Sequence, residues 1–371
     1  MQILRNFFFY IQWFCLLFLY AIQRVWHIFC TLIGIDCPVA GGISSNVLLF
    51  RCKCYGTHLI PVTMSKLMAR IGRFILETND ALRMRRHSHV TSDLSVLADV
   101  PYVADGTPEH LLDIYRPKDA SADLPVIVNI HGGGLFASYK TVNTWFNHEW
   151  ARLGYTVVSL SYRRLPDTTM IHQVEDVMTA LRFLRENRDT YRLNLDRCYL
   201  TGDSAGALLS LFALSIEASR PLQTAFGIAP AGITFRAAAF ISIMLDTKRK
   251  GLLFFLGDVV CNTDDSGQPY LPYILNPSAL LGNTQWDGDS SVQSGVKPLP
   301  PLYLVTGEED MLQSDTLKLH RLLTGLGIKH RLLNFPKGVK NKLVHVFSVQ
   351  YPLWSESRHV YAEIDNFFRS N

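Results

Sequence analysis

The feature that most constrains this chain is a run of small residues, Gly202-Asp203-Ser204-Ala205-Gly206, placed between a β-rich stretch and a helical one. Arg197–Leu200 reads as a strand that enters the run through Thr201, and Ala205–Ile216 reads as a buried helix. A backbone turns that sharply from strand to helix only where side chains are missing on both sides of the bend, and Gly202 and Gly206 meet that condition. The bend holds the Ser204 hydroxyl clear of the backbone at the top of a sheet. A serine hydroxyl is a weak nucleophile at neutral pH, so a base has to be found elsewhere in the chain.

The flanking sequence supplies a sheet. Pro125–Ile130, Tyr155–Ser161, Arg236–Leu245, Leu302–Thr306 and His330–Phe335 read as strands. His172–Asn187, Asp315–Leu323 and Trp354–Phe368 carry helical periodicity. Strands alternating with helices predict an α/β fold with a mostly parallel central sheet and helices on both faces. The rhythm breaks between Lys248 and Ser291, where a long irregular insertion, about 247–291, is expected to cap a pocket. The apolar run Leu252–Leu256 within it is a candidate lining for a lipid-like alcohol.

A second glycine run, His131-Gly132-Gly133-Gly134, follows the Pro125–Ile130 strand. Acyl transfer builds negative charge on a carbonyl oxygen, and backbone N–H groups aimed at it lower the barrier by about 2.7–4 kcal/mol per donor. A phosphate-binding loop is the rival reading. It fails because the run lacks both Gly-Lys-Ser/Thr and Gly-x-Gly-x-x-Gly with its downstream acid.

Taken together, HGGG at 131–134, GDSAG at 202–206, Asp113-x-Tyr115-x-Pro117 and Ser161-Tyr-Arg163 with Asp176 downstream resemble the hormone-sensitive-lipase-like esterases of the α/β-hydrolase superfamily. These include acetyl esterases and arylacetamide-deacetylase-like enzymes. The resemblance covers about residues 100–371. It implies a Ser-acid-His order, with Ser204 as nucleophile, Asp310 as the acid in Asp-x-Leu, and His345 as the base between the last strand and helix. Glu308, Glu309 and Asp315 are the less favoured acids, and His320, His330 and His359 the less favoured bases. It also implies an oxyanion hole made by Gly133, Gly134 and Ala205, with Gly132 shaping the loop, and no metal or organic cofactor. His131, Asp203, Arg163 and Asp176 are expected to be structural. Two departures stand out. The chain reads His345-Val346-Phe347 where the family often has His-Gly-Phe, and Arg163-Arg164-Leu165-Pro166 where it has Arg-Leu-Ala-Pro.

The N-terminus has another character. Asn6–Gln23 carries no formal charge, and residues 1–35 hold ten of the 42 aromatics. A membrane anchor is the favoured reading for residues 1–50, through residues 7–35, with a cleaved secretory signal or a helix packed on the body as alternatives. The net charge of +4 divides into +1 over 1–50, +6 over 51–90 and −3 over 91–371, which argues against a nucleic-acid partner and favours a body on the cytoplasmic side. Residues 51–95 read as a basic amphipathic linker or cap. Met64, Leu67, Met68, Ile71, Phe74 and Ile75 share one helical face and Lys66, Arg70 and Arg73 lie on another, as fits either a helix on an anionic membrane surface or one capping the core with its basic residues solvated. Seven cysteines, five of them before residue 55, form no disulfide framework, and Cys52-x-Cys54 lacks a second pair for zinc. Residues 96–371 are thus expected to form a catalytic domain for small-molecule esters. A non-catalytic receptor on the same fold, or an amidase or transacylase, is the alternative.

Overall fold

The computed structural model describes residues 59–86, 93–120, 123–247, 260, 265–284, 296–337 and 341–371. The readings of residues 1–50, of Cys52-x-Cys54 and of Leu252–Leu256 fall outside those residues. In chain order the principal elements are α1 (Leu59–Arg86), β1 (Leu94–Pro101), β2 (Leu111–Pro117), β3 (Pro125–Ile130), α2 (Thr144–Arg152), β4 (Thr156–Leu160), α3 (Met170–Glu186), β5 (Asn194–Asp203), α4 (Ala205–Ala218), β6 (Phe235–Ile241), β7 (Leu302–Gly307), α5 (Gln313–Gly325), β8 (His330–Phe335) and α6 (Ser355–Arg369).

Among the described residues, eight strands form one sheet in the order β1-β2-β4-β3-β5-β6-β7-β8. β1 and β2 pair antiparallel, as do β2 and β4, and every later pair is parallel. The parallel strands are covered on both faces, so their sequences run as continuous apolar stretches. Alternate residues serve opposite layers. Cys198 and Leu200 of β5 join a layer with Val174 and Val177 of α3, Leu208 and Leu211 of α4, and Leu319 of α5. Tyr199 between them joins Trp150 of α2 and Phe367 and Phe368 of α6 on the other side. Trp150 sits edge-on to Tyr155 at 5.5 Å, and Tyr199 stacks on Phe368 at 4.5 Å, which fixes α2 and α6 against the sheet.

Residues Val62–Asn371 form one compact unit, which includes α1 from Val62 onward. The face α1 presents to the sheet domain is not the apolar stripe, so of the two uses left open for that stripe burial is not met. Leu67, Phe74, Ile75 and Leu82 are exposed, Phe74 at 72%, whereas Ala69 is fully buried and Arg73 is largely covered. Arg73 donates to the carbonyls of Phe136 (2.7 Å) and Leu165 and pairs with Asp167 (2.7 Å), to which Arg70 also binds (3.0 Å). Of the two arginines on the basic side, Arg70 is exposed, whereas Arg73 is covered and bound to the body. Buried carbonyls and a carboxylate on the body offer these guanidiniums hydrogen bonds that an apolar face cannot supply. Among the described residues no helix is long and apolar enough to cross a membrane.

Candidate active site

The turn after β5 is strained as its sequence requires. Ser204 has φ 51° and ψ −117°, and its N–H and C=O are tied to Ile241 O (2.9 Å) and Met244 N (3.1 Å). The glycines on either side have no room for a side chain. A Cβ on Gly206 would lie 2.1 Å from the Ile130 carbonyl oxygen, and one on Gly202 2.7 Å from the Ala207 nitrogen. Ser204 immediately precedes α4, whose first turn places the Ala205 N–H and the positive end of the helix dipole beside the hydroxyl.

Three separate chain segments meet at Ser204. His345 Nε2 lies 2.9 Å from Ser204 Oγ, and His345 Nδ1 lies 2.8 Å from Asp310 Oδ1. An ionised carboxylate only accepts, so Nδ1 carries the proton and Nε2 of the neutral ring is free to accept from the serine hydroxyl. Asp310 follows β7. Its Oδ1 also accepts from the Leu312 N–H (2.8 Å) and its Oδ2 from the Thr306 hydroxyl (3.0 Å). Burial opposes its ionisation, but hydrogen bonds from His345, Ser242 and Leu312 outweigh burial and hold the carboxyl below its ordinary range.

The other candidate acids and bases lie elsewhere. Glu308 and Glu309 accept from the N–H groups of Lys337 and Leu343, and Asp315 from those of Leu245 and Asp246. His320 and His330 pair with each other at 2.8 Å, and His359 packs against Phe335.

The loop after β3 sits directly over this arrangement. Gly132 is so close that a Cβ there would lie 3.1 Å from Ser204 Cβ. Its N–H donates to Asp203 Oδ1 (3.1 Å), so of the four residues grouped in the oxyanion hole Gly132 shapes the loop rather than donating to a ligand. The N–H groups of Gly133, Gly134 and Ala205 have no protein acceptor among the described residues. Asp203 also accepts from Asn143 Nδ2 (2.7 Å), and burial pushes its carboxyl above the ordinary value of 3.8. His131 is fully buried and stacked on Tyr162 at 4.4 Å. Its Nδ1 donates to the Gly132 carbonyl, and burial pushes its pKa down to about 4, so the ring is a neutral anchor. Arg163 pairs with Asp176 (2.6 Å) away from the serine.

The comparisons with known proteins agree with this fold. The family model BD-FAE matches residues 112–235. Esterase B of Lactobacillus rhamnosis, solved with a tributyrin phosphonate inhibitor, superposes with a TM-score of 0.74 at 25% identity, covering 83% of this chain and 95% of that one. The chain has the α/β-hydrolase fold. Among its curated relatives, the chain is 28% identical over 231 residues to esterase LipQ of Mycobacterium tuberculosis, covering 61% of this chain and 50% of LipQ. It is 24% identical over 210 residues to a probable isoprenylcysteine alpha-carbonyl methylesterase of Oryza sativa subsp. japonica, covering 55% of this chain and 47% of that protein. The chain thus spans about half the length of these two relatives.

Two residues that serve the site carry no motif. Ser242, at the end of β6, has φ 53°. Its hydroxyl accepts from the Val346 N–H (3.3 Å) and reaches the Asp310 carboxylate, so it joins the acid's loop to the base's loop. Asn143 steadies Asp203. Both lie outside the motifs, and nothing local marks them.

Proposed function

We propose that this α/β-hydrolase is a carboxylesterase acting on small-molecule esters with short acyl groups. The observation that carries the proposal is the single line of hydrogen bonds Ser204–His345–Asp310, with undonated backbone N–H groups beside it. In this reading His345 Nε2 takes the Ser204 proton as Oγ attacks the ester carbonyl, and the proton then passes to the departing alcohol. Asp310 holds the ring in the correct tautomer and steadies the imidazolium. The N–H groups of Gly133, Gly134 and Ala205 take the charge that develops on the carbonyl oxygen. Water, deprotonated by the same histidine, releases the acyl group.

The short-acyl assignment rests on the likeness to an esterase inhibited by a tributyrin phosphonate. The methylesterase relative adds methyl esters of lipid-modified cysteine to the candidate substrates. The test is turnover of p-nitrophenyl acetate and butyrate, and of an isoprenylcysteine methyl ester, by wild type and Ser204→Ala. Ser204→Ala is expected to lose at least about 10⁴-fold in kcat and all labelling by a fluorophosphonate. Equal turnover by the two proteins overturns the proposal. Product analysis with an added amine or alcohol separates hydrolysis from acyl transfer, and saturable binding without turnover would instead mark a receptor.

A membrane-side location is part of the proposal, supported by the uncharged stretch Asn6–Gln23 and by the outward apolar residues Leu67, Phe74 and Leu82 of α1. The full chain is expected in the carbonate-washed membrane fraction. Recovery of the uncleaved chain as soluble protein overturns this part.

A further inference from the structure

We infer that α1 is a positioning element for the oxyanion loop, acting chiefly through Arg73 and Glu77; this rests on the esterase reading above. The loop Gly133–Ser138 is unusually strained. Gly133, Gly134, Leu135 and Ser138 all have positive φ, at 119°, 62°, 71° and 73°. Leucine and serine in that region persist only where their surroundings over-determine them.

Part of the support is internal or comes from the neighbouring body. Phe136 and Ala137 N–H groups donate to the Gly133 carbonyl (3.2 and 2.9 Å), and the Leu135 carbonyl accepts from Leu165 N–H (2.9 Å) and the buried Gln173 amide (2.7 Å). Three further groups of the loop are taken by α1. Arg73 Nε donates to the Phe136 carbonyl (2.7 Å), Glu77 accepts from the Ser138 N–H (3.2 Å), and Asp80 accepts from the Ser138 hydroxyl (2.9 Å). Gly72 lets the helix backbone approach the Phe136 ring, which a Cβ would meet at 3.1 Å.

The grip is doubled through the neighbouring loop. Arg73 also binds Leu165 O and Asp167, and Glu77 pairs with the buried Arg164. Arg164 reaches Glu109 as well (2.8 Å) and lies over the Tyr139 ring at 3.7 Å. One helix therefore clamps the loop that carries the oxyanion donors to the loop at 164–167. The N–H groups of Gly133 and Gly134 act only when aimed at the developing oxyanion. Loosening the clamp should therefore weaken transition-state binding without weakening substrate binding.

The test uses the full chain and p-nitrophenyl butyrate, with active sites counted by the stoichiometry of fluorophosphonate labelling. Arg73→Met is expected to lower kcat about 10-fold or more per labelled site, with KM within about two-fold. Affinity for a boronic acid that forms a tetrahedral adduct on Ser204 should fall by a similar factor. Arg73→Lys, which keeps one donor for the Phe136 carbonyl, should recover part of the loss. Phe74→Ala, on the outward face, should leave kcat unchanged. If Arg73→Met matches wild type in kcat and boronate affinity, or if KM rises by the factor by which kcat was expected to fall, the inference is overturned. If Arg73→Met misfolds, Arg73→Lys decides: wild-type kcat and boronate affinity at its active sites, despite a lowered melting temperature, would assign Arg73 to stability alone and overturn it. A wild-type protein with no Ser204-dependent turnover overturns the esterase reading and this inference together, and that outcome is separated by the Ser204→Ala control.

Discussion

The turn at Ser204 and the loop at Gly133 leave the ends of adjacent parallel strands, β5 and β3, and both are held in conformations that side chains disfavour. They are held in opposite ways. The turn is locked by main chain. Ser204 bonds to Ile241 and Met244, and Gly206 lies against the Ile130 carbonyl. The loop is locked largely by side chains from elsewhere, including a helix about sixty residues upstream. Strain secured by backbone contacts is written into a short motif. Strain secured by distant side chains depends on elements that no motif marks.

Several measurements would break or sharpen this contrast. The largest effect should come from Gly206→Ala, whose Cβ would meet backbone oxygen at 2.1 Å. Overpacking of this kind costs about 1–3 kcal/mol or more, and activity should fall at least about 10³-fold, read from melting curves and titrated kcat. A variant with normal melting and turnover would show that the turn is not locked as described. Next, a chain shortened to residues 93–371 should retain less than about a tenth of the kcat of one shortened to 59–371, per titrated site. Equal values would mean that the loop supports itself. Ser242→Ala should cost about 10-fold in kcat, since it cuts the link between the loops of Asp310 and His345; deletion of one positioning hydrogen bond is worth about 1 kcal/mol or somewhat more. Asp203→Asn should cost least, within about two-fold, because an amide oxygen can still accept from Gly132 and Asn143.

The two carboxyls also differ in sign. Asp310 is held below its ordinary value of 3.8, so its contribution to stability is complete above about pH 4 and is lost as pH falls through its folded value. The melting-temperature gap between wild type and Asp310→Asn should therefore be widest near neutrality and close in acid. Asp203 is raised above 3.8 by burial, so ionising it costs stability as pH rises. Asp203→Asn should gain on wild type between about pH 4 and neutrality; a constant gap would contradict the burial argument.

Much of this was legible in the sequence. The parallel strands β3 to β8 and the helices α3 to α6 follow from apolar runs and helical spacing, and the residues that meet at Ser204 follow from two glycine motifs and a family resemblance. The antiparallel strands β1 and β2 were not read, because β1 is an edge strand with a mixed pattern and a bulge between Leu97 and Val100. Helix α2 was missed because its buried face includes the polar Asn147 and His148. Periodicity identified the two faces of α1 but left open which one turns inward, since spacing does not reveal buried carbonyls that await a guanidinium. Both departures from the family pattern prove informative. Arg164 is the residue that meets Glu77, and Val346 occupies a left-handed conformation, φ 51°, in which glycine would be relaxed.

Helix α1 ends at Arg86, and the family match begins at residue 112. If α1 braces the oxyanion loop as inferred, a piece lacking it could fold and yet work below full rate, and the two minimal lengths would differ. The missing segment, supplied as a separate peptide, would then act as an activator of its own enzyme.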